Sequence, residues 1–96
     1  MAVEQELMGK REEILSIAAK HGARNVRLFG SVLRGDATEH SDVDFLVEME
    51  PGRSLLDLAG LRVELGALLG REVDVVADDS IYWLLRRKIL REAQPL

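Results

Sequence analysis

Residues 25–49 read Asn25-Val-Arg-Leu-Phe-Gly30-Ser-Val-Leu-Arg-Gly35-Asp-Ala-Thr-Glu-His40-Ser-Asp42-Val-Asp44-Phe-Leu-Val-Glu-Met49, and their pattern decides the fold. Asn25 to Gly30 is a short apolar β-type run that Gly30-Ser31 ends. A Gly-rich polar segment follows, and from Asp42 alternation of polar and apolar residues predicts a second strand. If the two strands are antiparallel, the end of the first meets the start of the second, joined by Val32 to Ser41. Val43, Phe45 and Val47 then face the core, and Asp42 and Asp44 project together from the opposite face.

Working outward, Leu7, Met8, Ile14, Leu15, Ala18 and Ala19 recur at helical spacing over about residues 3–20, with Gly22 placed as a left-handed stop. On the C-terminal side Pro51-Gly52 turns the chain. Ser54-x-x-Asp57 has capping-box spacing with Asp in place of the usual Glu, ahead of an apolar-rich helix over Leu55–Leu69 closed by Gly70. Arg71 to Ala77 reads as a third strand. Ser80 caps a last predicted helix with Ile81, Leu84, Leu85 and Ile89 inward and Arg86, Arg87, Lys88 and Arg91 outward. The predicted order is αβ(α)βαβα, a layered α+β (α/β) arrangement in a single domain over residues 1–96.

The chain of 96 residues carries 17 acidic and 13 basic residues, net −4, with 47% apolar and 31% charged residues. That is an ordinary globular composition, which excludes disordered and collagen-like classes. No charge-free run exceeds six residues, so no membrane span is expected, and Glu4 and Glu6 are unlike a cationic signal-peptide start. A cytoplasmic location follows as the expectation. With no cysteine, any metal must be held by Asp, Glu or His. The acidic balance argues against phosphate-driven binding to long DNA, and no sequence-specific DNA binding is expected.

Two carboxylates as close as Asp42 and Asp44 repel unless one is protonated or a cation lies between them, and hard oxygens on a rigid strand favour Mg²⁺. An isolated Asp-x-Asp is more often a solvated strand start with Asp as a turn residue. Its context adds weight: Gly30-Ser31, after a strand and before a helical turn, offers backbone N–H groups and a hydroxyl suited to phosphate. Asp74 supplies a third carboxylate between Val73 and Val75; the alternative is an edge-strand Asp exposed to water. Three carboxylates and a phosphate loop suggest two-metal phosphoryl or nucleotidyl transfer.

Gly30-Ser31, ten residues, Asp42-x-Asp44 resembles the nucleotidyltransferase signature of the DNA polymerase β superfamily. Arg34, Gly35, Ala37 and Ser41 match its common form, and Asp74 falls where the third carboxylate is expected. The resemblance covers residues 26–76 directly, and the chain length is similar to that of the minimal nucleotidyltransferase branch. It implies a small mixed sheet flanked by helices. It implies Mg²⁺, two ions, held by Asp42, Asp44 and Asp74, and a nucleoside triphosphate with its phosphates near Gly30 and Ser31. Asp74 could also orient or deprotonate the attacking hydroxyl, and Arg34 contacts phosphate or braces its loop. Members of this branch occur as antitoxins beside HEPN-domain ribonucleases, and some transfer AMP from ATP to a tyrosine of that partner. The resemblance thus implies ATP as donor and a HEPN-type toxin as partner. A non-catalytic antitoxin that neutralises by occlusion is the alternative, and small-molecule modification a third. After Asp74 only residues 75–96 remain, too few for a base-gripping or acceptor domain, which favours a protein partner over a template.

Other residues have two readings each. Arg86, Arg87, Lys88 and Arg91 dock an acidic partner or complement the helix dipole. Tyr82 and Trp83 stack a base or fill a core or interface. His40 could contact phosphate, His21 ends the first helix, and Asp78 and Asp79 lead into the last one. Apolar surface on the last helix could serve a homo-oligomer as well as a toxin.

Overall fold

The computed structural model describes residues 3–30, 43–80 and 91–96. Along the chain these form α1 (Val3–Gly9), α2 (Arg11–Lys20), β1 (Ala23–Phe29), β2 (Val43–Met49), α3 (Leu55–Leu69), β3 (Val73–Ala77), a 3₁₀ turn (Asp78–Ser80) and β4 (Gln94–Pro95). The expected last helix lies mostly outside the described residues.

The predicted helix over residues 3–20 is two helices. Lys10 leaves the helical region (φ −113°, ψ 14°) just after Gly9, a poor helix former. Lys10 Nζ donates to the Leu68 carbonyl at 3.0 Å, placing a cation at the carbonyl end of α3, where the helix dipole favours it. Apolar periodicity runs through the break because both pieces present one face to the same core, so sequence spacing alone does not reveal it. At the end of α2, Gly22 is left-handed (φ 78°), as a helix stop requires. His21 is the C-cap.

The sheet is mixed, in the order β3-β2-β1-β4. β1 and β2 are antiparallel, and β2 and β3 are parallel with α3 as their crossover. A β-bulge between Arg24 and Arg27 sets the register of β1. Asn25 there takes positive φ (52°), which Asn tolerates better than most residues. The extra residue leaves Arg24 and Asn25 exposed and returns Val26 and Leu28 to the core face. β4 was not anticipated: two residues pairing with β1 carry no periodicity, and one is a proline. It is anchored by the Leu96 N–H on the Val26 carbonyl (3.0 Å) and by Arg11 Nε on the Leu96 carbonyl (3.0 Å).

Val43, Phe45 and Val47 are fully buried, as alternation predicts, and join Val26, Leu28, Val73 and Val75 against Leu7, Ile14, Ala18, Leu61, Leu65 and Leu69 in one core cluster. The last three recur every four residues on α3, one stripe of the helix. Leu46 departs from the two-sided expectation: it lies on the opposite face and is also fully buried.

The capping box at Ser54 forms as the spacing indicates. Ser54 Oγ accepts from the Leu56 N–H (3.2 Å), and Asp57 Oδ2 accepts from the Ser54 N–H (2.9 Å). That backbone donor, more than the nearby Arg53, holds the Asp57 carboxyl below the ordinary carboxylate range. A lowered folded-state pKa contributes stability present above the unfolded-state pKa, about 3.9 for Asp, and lost as pH falls through the folded value. The stability difference between this chain and Asp57→Asn, measured by urea unfolding, is therefore expected to be constant above about pH 5. It should shrink steadily from pH 4 downward; a difference unchanged at pH 2 would contradict the assignment.

Candidate active site

Asp44 is the second residue of β2 and Asp74 the second residue of β3, and the parallel ladder pairs them directly. Neighbouring strands lie about 4.8 Å apart, so the two side chains leave the same face of the sheet side by side. What pins them there is the core: Val43 and Phe45 flank Asp44, Val73 and Val75 flank Asp74, and all four are buried on the other face. A slip of one residue in either strand would drive a carboxylate into the core and expose its valines.

On the other side of β2 the antiparallel ladder pairs Asp44 with Phe29, the last residue of β1. Gly30 follows, with φ 81°. A Cβ at this position would overlap Asp44 Oδ2 and lie 3.2 Å from its Cγ. The absence of a side chain at residue 30 is therefore what lets the strand end approach the Asp44 carboxylate. The end of β1 and the starts of β2 and β3 converge at one end of the sheet, in the order Gly30, Asp44, Asp74.

Asp74 is exposed on an edge strand, and it is also the nearest cross-strand neighbour of Asp44. Asp42, Ser31 and Arg34, the remaining expected site residues, lie outside the described residues, as do His40, Tyr82 and Trp83. Among the described residues no group of three or more metal-ligating side chains comes together. The described part of the site is the Asp44–Asp74 pair beside Gly30. Hard carboxylate oxygens at this spacing, with a glycine leaving room beside them, fit Mg²⁺ or another oxygen-seeking divalent cation.

Two features escaped the sequence reading. Asp78 does not simply lead into a helix: its carboxylate accepts from Arg27 Nη2 at 2.9 Å, and both side chains are largely buried. Arg27 opposes Leu46 in the ladder, so it shares the Asp44 face and ties β1 to the chain leaving β3. A charge pair so distant in sequence gives no local signal. The second is a groove of about 700 Å³ between α3 and β3, lined by Leu55, Leu58, Arg62, Val63, Asp74 and Val75 among others.

Replacing Gly30 by Ala is expected to cost about 1–2 kcal/mol of stability for the left-handed backbone. It should also displace the Asp44 carboxylate; a shift of about 1 Å in a reacting geometry can cost on the order of 100-fold in rate. Gly9→Ala, where an added Cβ meets nothing within 4 Å, is the control. Thermal melts and transfer rates of the two variants check this, and equal activity would show that the approach of Gly30 to Asp44 is incidental.

Residues 10–96 match the nucleotidyltransferase domain family. The chain is 43% identical over 89 residues to protein adenylyltransferase MntA of Thermococcus cleftensis, covering 84% of this chain and 90% of that protein. Superposition on a solved structure described as a “putative minimal nucleotidyltransferase” gives a TM-score of 0.86 at 51% identity, covering 96% of this chain and 94% of the other. A crystallised toxin–antitoxin with AMP-PNP shares the fold alone, with a TM-score of 0.75 at 21% identity over 88% of this chain and 69% of that one. No helix among the described residues is long and apolar enough to cross a membrane. With Gly30, Asp44 and Asp74 converging at one end of a mixed sheet, and with this extent of likeness, the chain belongs to the nucleotidyltransferase domain family of the DNA polymerase β superfamily, in its minimal form.

Proposed function

We propose that this protein is a Mg²⁺-dependent nucleotidyltransferase that moves AMP from ATP to a tyrosine hydroxyl of a HEPN-type toxin, acting as the antitoxin of the pair. The observation that carries the reading is the in-register placement of Asp44 beside Asp74 with Gly30 against the Asp44 carboxylate. The likeness to a protein adenylyltransferase supports the donor and the protein acceptor, and the fold shared with a toxin–antitoxin that bound AMP-PNP supports the setting.

In this reading Asp42, Asp44 and Asp74 hold the metal, two ions when the site is filled. Bound Mg²⁺ would neutralise the triphosphate and lower the cost of the charge that develops on the leaving pyrophosphate. Gly30 and Ser31 hold the phosphates, Gly30 because its bare backbone admits them next to Asp44, and Arg34 contacts the phosphates or braces their loop. The acceptor oxygen forms a bond to the α-phosphorus as the bond to the β-phosphate bridging oxygen breaks, and pyrophosphate leaves. Asp74, exposed at the sheet edge, orients the incoming hydroxyl and takes its proton.

The test is incubation with Mg²⁺ and each labelled nucleoside triphosphate together with a co-expressed HEPN-type toxin, followed by intact-mass spectrometry. A monophosphate adduct on a toxin tyrosine, formed from ATP and absent with the Asp42→Asn/Asp44→Asn double variant, is the expected result. A tight, neutralising complex without an adduct would overturn it in favour of occlusion.

A further inference from the structure

The groove between α3 and β3 has Asp74 in its lining and follows the chain from Arg71 to Val75 at the edge strand of the sheet. Its helical wall carries apolar side chains with no internal role: Leu55 is 82% exposed and Val63 71%. On its strand wall β3 is the sheet edge and has no outer strand partner among the described residues. The Val43 N–H bonds the Glu72 carbonyl, so residues 72, 74 and 76 turn their peptide groups toward β2, and Val73 and Val75 turn theirs to the outer edge. The Val73 carbonyl accepts from Arg62 Nε at 2.9 Å, which anchors the Arg62 side chain over the edge one residue before Asp74. Arg62 is exposed and has no carboxylate partner among the described residues, whereas Arg71 in the same wall is engaged by Glu6 at 3.0 Å.

We infer that this groove is the acceptor subsite, and that it takes an extended segment of the acceptor protein bearing a carboxylate for Arg62 and an apolar side chain for Leu55 and Val63. The inference rests on the transferase reading for the direction of approach. Phosphoryl transfer places the attacking and leaving oxygens in line. With the phosphates at Gly30 on the β1 side of Asp44, the hydroxyl must enter from the β3 side, across Asp74, and the groove opens there. A strand added along the β3 edge would be held by backbone hydrogen bonds to the groups of Val73 and Val75 that Arg62 does not take, with specificity left to alternate side chains. The residue over Arg62 then lies within two positions of the residue over Asp74, because one extended residue spans about 3.3 Å.

The test uses fluorescent tyrosine-centred peptides flanked by Glu and Leu, by Lys and Leu, or by Glu and Ser, with binding read by polarisation and transfer by α-phosphate label from ATP. The Glu/Leu peptide is expected to bind at least about tenfold tighter than the Lys/Leu peptide, the preference that a single desolvated charge contact supports. Arg62→Glu should invert that order, and Val63→Glu should bring the Glu/Leu peptide down to the Glu/Ser level. ATP affinity should stay within about twofold in both variants, since neither residue lies on the Gly30 side. Inversion of binding without any transfer would keep the groove and sink the transferase reading. Transfer with no charge preference, or an acidic preference that survives Arg62→Glu, would sink the groove and leave the transferase reading standing.

Discussion

Asp44→Asn is expected to abolish transfer while leaving the fold in place. The substitution keeps the shape of the side chain and removes the negative charge and one hard-oxygen ligand from the pair it forms with Asp74. Metal stabilisation of developing phosphate charge supplies several kcal/mol, so a loss on the order of 10³-fold or more is expected at about 1.4 kcal/mol per decade. The variant also separates two neighbouring carboxylates of like charge. Its Tm in the absence of metal should therefore stay within about 4 °C of the parent, the shift that 1 kcal/mol produces at this size. A second readout isolates the metal: a ligand that binds only the folded state raises Tm with concentration, so millimolar Mg²⁺ should stabilise the parent more than the variant. Equal stabilisation of both, with full activity retained, would remove Asp44 from the site.

Phe45→Ala is expected to be the most destabilising single change in the described part of the chain. Phe45 is the largest fully buried side chain among the described residues: its ring fills the core that α2 and α3 cover, and its backbone follows Asp44 directly. Truncating a buried Phe costs about 3–5 kcal/mol through lost burial and the cavity left behind. Set against a total of about 5–15 kcal/mol for an ordinary domain, that lowers Tm by some 15 °C or more. Leu55→Ala on the exposed face of α3 should change stability by less than about 0.5 kcal/mol, because that side chain is already in water. Urea unfolding of the two variants measures the contrast. Similar costs at the two positions would mean that the buried face has been misassigned.

Phe45 also explains why so much was legible beforehand. Alternation from Asp42 onward puts valines and a phenylalanine on one face and carboxylates on the other, and burial of the first set leaves the second no choice of side. The Ser54 cap and Gly22 were equally readable, because a cap or a left-handed stop involves residues within one turn of each other. The break at Lys10 was not readable, since it is made where a side chain reaches the Leu68 carbonyl at the far end of another helix. Nor was β4, whose two residues are held by β1 and by Arg11 and carry no pattern of their own.

The candidate site divides along the same line. Residue types and spacing within residues 30–44, with Asp74 downstream, carry the chemistry proposed here: hard carboxylates near a glycine suited to phosphate. Which carboxylates meet is a matter of register between strands separated by a whole helix, and only the packed sheet decided that Asp74 falls opposite Asp44 and not one residue to either side. The Arg27–Asp78 pair and the groove beside Asp74 arose in the same way, from surfaces brought together across the fold. Local sequence encodes what each segment can form and what its side chains can bind. Non-local packing, driven by burial of the face opposite the carboxylates, determines which of those side chains share a site.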